Sequence, residues 1–292
     1  MISQCNNSHK TPSWLIMCCL ALLITNSHLT YAQILPPLTN IAGENNVPGG
    51  IIDFKLQKLS TDLPEIKYGL HEVTIIDKKS YWQVLIGIGL ETIPGEYLLY
   101  VKHQLEDSVA FSQKFQVRQQ PVEFITPQVA NSQVLSIEHD NFSDIKFENT
   151  AEPTLPLRYP SQGHWANYFG HIHTKGKNIK SRNFISMTTT ALATVTAPQN
   201  AIVSRIIETP DATRAKRNNH KANYTIFLDH GRGLYSVLTG VSDLTIEVGN
   251  GVLAGAVLGK IHSNDTTNSK PRTLIWQTVL NKAYVNPVIL TQ

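Results

Sequence analysis

DHGRGLYSVLTGVSDLTIEVGNGVLAGAVLG, residues 229–259, is the stretch whose reading decides how this chain folds. Its glycines fall where a chain must reverse, at Gly231 and Gly233, at Gly249 and Gly251, and at Gly255. Between them apolar residues alternate with polar ones, which is the pattern of short antiparallel strands. It predicts a strand ending near His230, a tight turn through Gly233, a second strand, and then a hairpin built on Val248–Val252 and Ala254–Val257.

Working outward, the same alternation recurs on the N-terminal side. Ile51–Leu56, Glu72–Ile76, Tyr81–Ile86, Tyr97–His103 and Phe111–Val117 read as strands, and Pro48-Gly-Gly, Lys67-Tyr-Gly, Asp77–Ser80 and Pro94-Gly95 read as turns between them. Short strands at this spacing predict a β-sandwich over residues 33–117. Trp82 and Tyr97 are read as its core aromatics. Residues 118–157 sustain no apolar period and are read as a connector, with Pro153 and Pro156 marking its end. A second β-rich domain follows over residues 158–292, so the expected class is all-β throughout.

The 292 residues suffice for two modest domains, and 41% hydrophobic with 16% charged residues is neither a disordered nor a membrane-embedded composition. The N-terminus differs. Lys10 precedes the apolar run Trp14–Ile24, and Thr30-Tyr-Ala32 supplies small residues where a signal peptidase cuts. Residues 1–32 are therefore read as a secretory signal rather than a spanning helix, which needs about 20 apolar residues. All three cysteines (Cys5, Cys18, Cys19) fall inside that segment, so the remainder has no thiol. An exported chain without disulfides points to a bacterial envelope or periplasm. Removing the segment takes away only Lys10 among charged residues and leaves a formal net charge of +2, too little to specify a partner.

The order of motifs says more. Pro160-Ser-Gln-Gly-His-Trp-Ala-Asn-Tyr-Phe-Gly170 resembles the PxxGxxxSxFG opening of the lysostaphin-type, or LytM, zinc endopeptidases that cut peptidoglycan, with Asn167 in place of Ser. Ala197–Val203 is similar to their APxDGxV strand, with Asn200-Ala for Asp-Gly. Ile226–Ser236 resembles the strand and turn that come next, Ile246–Gly259 the VxxGxxVxxGxxxG segment, and Leu274–Thr278 through Val285-Asn-Pro the closing strands. Trp82–Leu90 followed by Ile93-Pro-Gly-Glu-Tyr97 is similar to the immunoglobulin-like domain that precedes some of these peptidases.

That resemblance implies a zinc ion held by the His and Asp of an HxxxD motif and the second His of an HxH motif, with two further histidines handling the attacking water. Family spacing places the first pair at Arg182 and Ser186, or at Asn183 and Met187 one residue on. The histidine after the turn maps to Gly240, and the HxH pair to Thr273 and Ile275. Every such position is substituted. A vestigial groove is expected there, flanked by Asn183, Arg272 and Trp276. The implied role is noncatalytic: binding peptidoglycan or a cell-wall amidase, as the EnvC and NlpD class of amidase activators does with domains that also lack the metal ligands.

Other chemistries are weaker. His171-Ile-His173 has the spacing to present two imidazoles on one strand face, the alternative zinc site, but no carboxylate near it completes a ligand set. Asp229, His230 and Ser236 suggest a triad, yet adjacent strand residues point to opposite faces, which separates Asp229 from His230. His164 is a further histidine of this domain. The polar loops Thr209–Lys221 and His262–Arg272 are basic and could meet acidic groups, but they lack interleaved aromatics, so no nucleic-acid partner is expected.

Overall fold

The computed structural model describes residues 44–69, 71–102, 110–120, 149–175, 178–190, 192–209, 222–262 and 272–292. The signal segment, most of the connector, His103 and nearly all of the two basic loops lie outside these residues. The chain is all-β, and every strand pair is antiparallel.

The N-terminal half holds β1 (Ile51–Gln57), β2 (Glu65–Tyr68), β3 (His71–Glu72), β4 (Thr74–Asp77), β5 (Tyr81–Gly87), β6 (Gly95–Lys102) and β7 (Ala110–Val117). They form a three-stranded sheet in the order β1-β5-β4 and a four-stranded sheet in the order β3-β2-β6-β7. One strand was not expected. Lys67 and Tyr68 belong to β2, and the reversal comes only at Gly69, with φ 57°. Alternation places Ile52, Phe54 and Leu56 of β1 on one buried face beside Ile86, Val84 and Trp82. Trp82 is buried with the Lys58 ammonium 4.4 Å from its ring, and Tyr97 stacks on Phe115, so both aromatics pack within the sheets.

The C-terminal half contains β8 (Trp165–Ala166), β9 (Ile172–Lys175), β10 (Asn178–Ser181), β11 (Ile185–Thr189), β12 (Thr194–Thr196), β13 (Ala201–Thr209), β14 (Asn223–Gly231), β15 (Leu234–Ser242), β16 (Gly251–Val252), β17 (Val257–Ile261), β18 (Arg272–Leu280) and β19 (Ala283–Val285). Its main sheet runs β16-β13-β14-β15-β18-β11-β8, while β9 and β10 form a separate two-stranded sheet. The turn between β14 and β15 falls where the sequence placed it, with Gly231, Arg232 and Gly233 all at positive φ.

The expected hairpin at residues 248–257 does not form. β16 pairs with β13, and β17 pairs with β12 and β15. Gly249 and Gly255, at φ 89° and 81°, bend the chain out of any local pairing and send each short strand to a distant partner.

Residues 39–292 form one compact unit. Ile51, Ile76 and Leu85, from the second face of the three-stranded sheet, join the core that contains Leu228, Leu238, Trp276, Leu280 and Val285. The Thr74 hydroxyl donates to the Arg232 carbonyl at 2.6 Å, fastening β4 to the β14–β15 turn. The described end of the connector is tied down as well. Arg232 N–H donates to the Asn149 carbonyl at 2.9 Å, and Leu157 is buried in the shared core.

Candidate functional site

The positions singled out by the LytM resemblance can be placed by strand register. Cross-strand partners share a sheet face. Ser186 of β11 lies opposite Ile275 of β18, Ile275 opposite Thr239 of β15, and Thr239 opposite Thr225 of β14. This row therefore crosses four adjacent strands on one face. Thr273 and Thr188 make a second step, with their hydroxyl oxygens 3.4 Å apart, and the Thr225 and Thr239 hydroxyls meet at 3.0 Å. Gln277, two residues beyond Ile275, donates from Nε2 to the Asn183 Oδ1 at 3.0 Å. Ser186, Thr273 and Ile275 are thus brought together, with Asn183 at their edge.

Gly240 closes this group through its backbone. The β14–β15 register shifts between Tyr224 and Thr225, so Gly240 is the extra residue of a bulge. Its φ is 99°, and a Cβ built on it would lie 2.3 Å from the Thr273 carbonyl oxygen. No side chain fits there unless β18 moves. The Gly240 carbonyl accepts the His262 backbone N–H at 2.7 Å, which places His262 beside the same bulge.

Arg182 precedes β11 and pairs with the chain before β9. Its N–H donates to the His171 carbonyl at 3.0 Å, and its carbonyl accepts the Gly170 N–H at 2.7 Å. The residue is 3% exposed, and its guanidinium lies 5.7 Å from the Tyr168 ring and 5.1 Å from the Phe184 ring. Burial lowers its pKa, against a smaller opposing effect of Tyr168. Its Nε is sealed and makes no hydrogen bond among the described residues. Sequence reasoning placed Arg182 in the groove but could not show that it is a buried cation with no carboxylate partner among the described residues.

Trp276 and Arg272 are both buried on β18. Trp276 points away from the Ile275 row into the main core, and Arg272 lies opposite Thr189 at the strand's start.

These residues do not fit a zinc ion. Gly240 and Ile275 carry no side-chain donor, Ser186 and Thr273 offer neutral hydroxyls, and zinc sites are built from thiolate, imidazole and carboxylate. Among the described residues no three His, Cys, Asp or Glu side chains are grouped to hold a metal. His171 packs edge-on against Tyr168, with ring centroids 5.5 Å apart, and its carbonyl is taken by Arg182. His173 pairs with Lys180 in the β9–β10 ladder, and its side chain lies outside the described residues. His164 is exposed.

The Asp229, His230 and Ser236 side chains divide as strand alternation requires. Asp229 accepts from the Tyr235 hydroxyl at 2.7 Å and from the Gly231 N–H at 2.8 Å, and burial raises its pKa against these bonds. His230 faces the other way. Its Nδ1 is 2.9 Å from the Asn200 carbonyl and its Nε2 2.9 Å from Ser236 Oγ, which also accepts from the Trp276 indole N–H at 3.2 Å. A carbonyl can only accept, so Nδ1 carries the proton, the Ser236 hydroxyl donates to Nε2, and the chain of bonds is complete. Burial pushes the His230 pKa down to about 4, partly opposed by the Asn200 bond. His230 and Ser236 are sealed in the core, so they form a structural dyad with no access for a substrate.

No protein family and no curated protein matches the chain by sequence. Several solved structures match by fold. A structure from Pseudomonas aeruginosa named for peptidase M23 aligns over 86% of this chain and 96% of its own, with TM-score 0.60 and 21% identity. A zinc-containing peptidase from Vibrio cholerae aligns over 78% of this chain and 86% of its own, with TM-score 0.36 and 11% identity. Helicobacter pylori Csd3 aligns over 85% and 76%, with TM-score 0.34 and 11% identity. The first of these likenesses establishes the fold as that of M23, LytM-type proteins.

Proposed function

We propose that this chain is an exported, noncatalytic LytM-fold protein of the bacterial envelope, and that it binds peptidoglycan or a murein hydrolase along the face carrying Ser186, Thr273 and Ile275. The observation behind this reading is the state of the positions that the resemblance assigns to the metal and its water. One holds a glycine whose bulge leaves no room for a side chain, one a buried isoleucine, two hold hydroxyls, and the fifth is a buried arginine. A cation at Arg182 opposes a second cation bound nearby. What persists at the surface is a group of partly exposed hydroxyls, Ser186, Thr188 and Thr273, which suits binding of a polar polymer or a partner chain.

The test is metal analysis of the chain starting after Ala32, together with peptidoglycan digestion with and without a cognate amidase. The expected outcome is zinc far below one per chain, no digestion by the protein alone, and either retention on cell walls or faster digestion by the amidase. About one zinc per chain, combined with digestion by the protein alone, would overturn the reading.

A further inference from the structure

A guanidinium stays charged at any physiological pH, and taking it out of water is costly unless an anion or a full set of acceptors receives it. Arg182 has neither. It is 3% exposed, its Nε is sealed without an acceptor, and among the described residues the partners of its head group are the faces of Tyr168 and Phe184. Ring faces attract a cation but leave its N–H donors unused. Unlike Nε, the terminal Nη nitrogens are not among the sealed atoms left without a partner. Arg182 also immediately precedes Asn183, whose side chain is bonded to Gln277 of the Ile275 face. Its backbone therefore lies at the edge of the surface assigned to binding.

We propose that Arg182 is the anchor of a carboxylate-binding subsite, in which Tyr168 and Phe184 hold the guanidinium fork and the bound carboxylate supplies the acceptors that the folded chain withholds. The ligand class is a peptide with a free carboxylate. A fork of parallel N–H donors matches a planar carboxylate in two-point fashion, and the flanking rings offer apolar surface to the residue bearing it. This rests on the groove-binding reading for where the peptide lies. It differs from that reading in naming the group recognised and the residue that recognises it.

The experiment titrates the chain after Ala32 with N-acetyl-dialanine as the free acid, with the same peptide as its C-terminal amide, and with inorganic phosphate, following backbone amide shifts by NMR. The free acid should bind at least about tenfold more tightly than the amide, since a charge-assisted two-point bond is replaced by a neutral contact. Phosphate should compete only weakly. Arg182→Lys keeps the charge without the fork and should lose most of the discrimination between acid and amide. Arg182→Met should lose all of it while melting no lower than the parent chain, because it removes an uncompensated buried cation.

Equal affinity for acid and amide overturns the proposal, as does phosphate binding more tightly than the carboxylate. A clearly lower melting temperature for Arg182→Met, with discrimination retained by Arg182→Lys, also overturns it and makes the arginine a packing element. The groove reading is tested separately by Ser186→Trp, which places bulk among the hydroxyls. If cell-wall retention falls in Ser186→Trp but acid and amide bind alike, the groove binds and the carboxylate subsite does not exist. If neither variant alters any binding, both readings fail.

Discussion

Lowering the pH should cost this protein stability through His230, by an amount fixed by its burial. The imidazole is neutral in the folded state, with both nitrogens engaged, and its pKa is pushed from 6.5 down to about 4. In the unfolded chain it titrates near the ordinary value. The folded-state pKa is the depressed one, so the contribution is intact above about pH 6.5 and is lost as pH falls toward 4. The 6.5-to-4 gap corresponds to a full loss of about 3 kcal/mol, of which a little under half is gone by pH 5.5. Asp229 contributes slope of the opposite sign, because burial raises its pKa and it gains stability as it is protonated. The clean measurement is therefore a difference. Urea unfolding of the parent chain and of His230→Gln, at half-unit steps from pH 7.5 to 4.5, should give free energies whose separation narrows or reverses below pH 6.5. Parallel profiles across that range would refute the claim that His230 is held neutral in the core.

Two further substitutions probe the closed bulge and the shared core. Gly240→Ala should destabilise by about 2–4 kcal/mol in urea unfolding, since its Cβ meets the Thr273 carbonyl oxygen and its φ of 99° disfavours any side chain. A loss under about 0.5 kcal/mol would show that β18 yields freely there. Thr74→Val removes the 2.6 Å bond to the Arg232 carbonyl and should cost about 1–2 kcal/mol. Unfolding should remain a single transition, because Ile51, Ile76 and Leu85 share a core with the second half.

Much of the architecture was legible because glycine and alternation are local signals. The Gly231–Gly233 turn and the strands on either side of it follow from spacing alone. Separation of Asp229 from His230 follows from period two and needs no coordinates. The failures share a cause. Residues 248–257 look like a hairpin because two short apolar runs flank glycines, but β16 and β17 find their partners in β13, β12 and β15, and pairing across such distances leaves no trace in the local pattern. Lys67 and Tyr68 of β2 read as turn residues because a four-residue strand carries too little alternation to outweigh the following glycine. At the candidate site, motif order points to Ser186, Gly240, Thr273 and Ile275, and only the register shows that Ser186, Thr273 and Ile275 share one face. That Arg182 meets no carboxylate among the described residues is not readable from the sequence, since an acid distant in the chain can be brought beside it by folding.

The substituted positions stand at unequal distances from a metal site, and the inequality bears on how the groove can be used. Ser186 and Thr273 differ from ligands only in their side chains, and their strands already hold them near one another. Ile275 is 3% exposed, so exchanging it for an imidazole would set a polar ring among buried neighbours and require new partners for its nitrogens. Gly240 is further still. Its bulge has drawn the backbone onto the Thr273 carbonyl, and a histidine there demands movement of β18, which is paired along its length with β11 or β15 and with both at Ile275 and Trp276. Exchanging side chains at Ser186 and Ile275 alone would therefore leave one corner of the family constellation shut. The closed bulge is thus fixed in the backbone, whereas the hydroxyls of Ser186 and Thr273 are side-chain features of strands already in place.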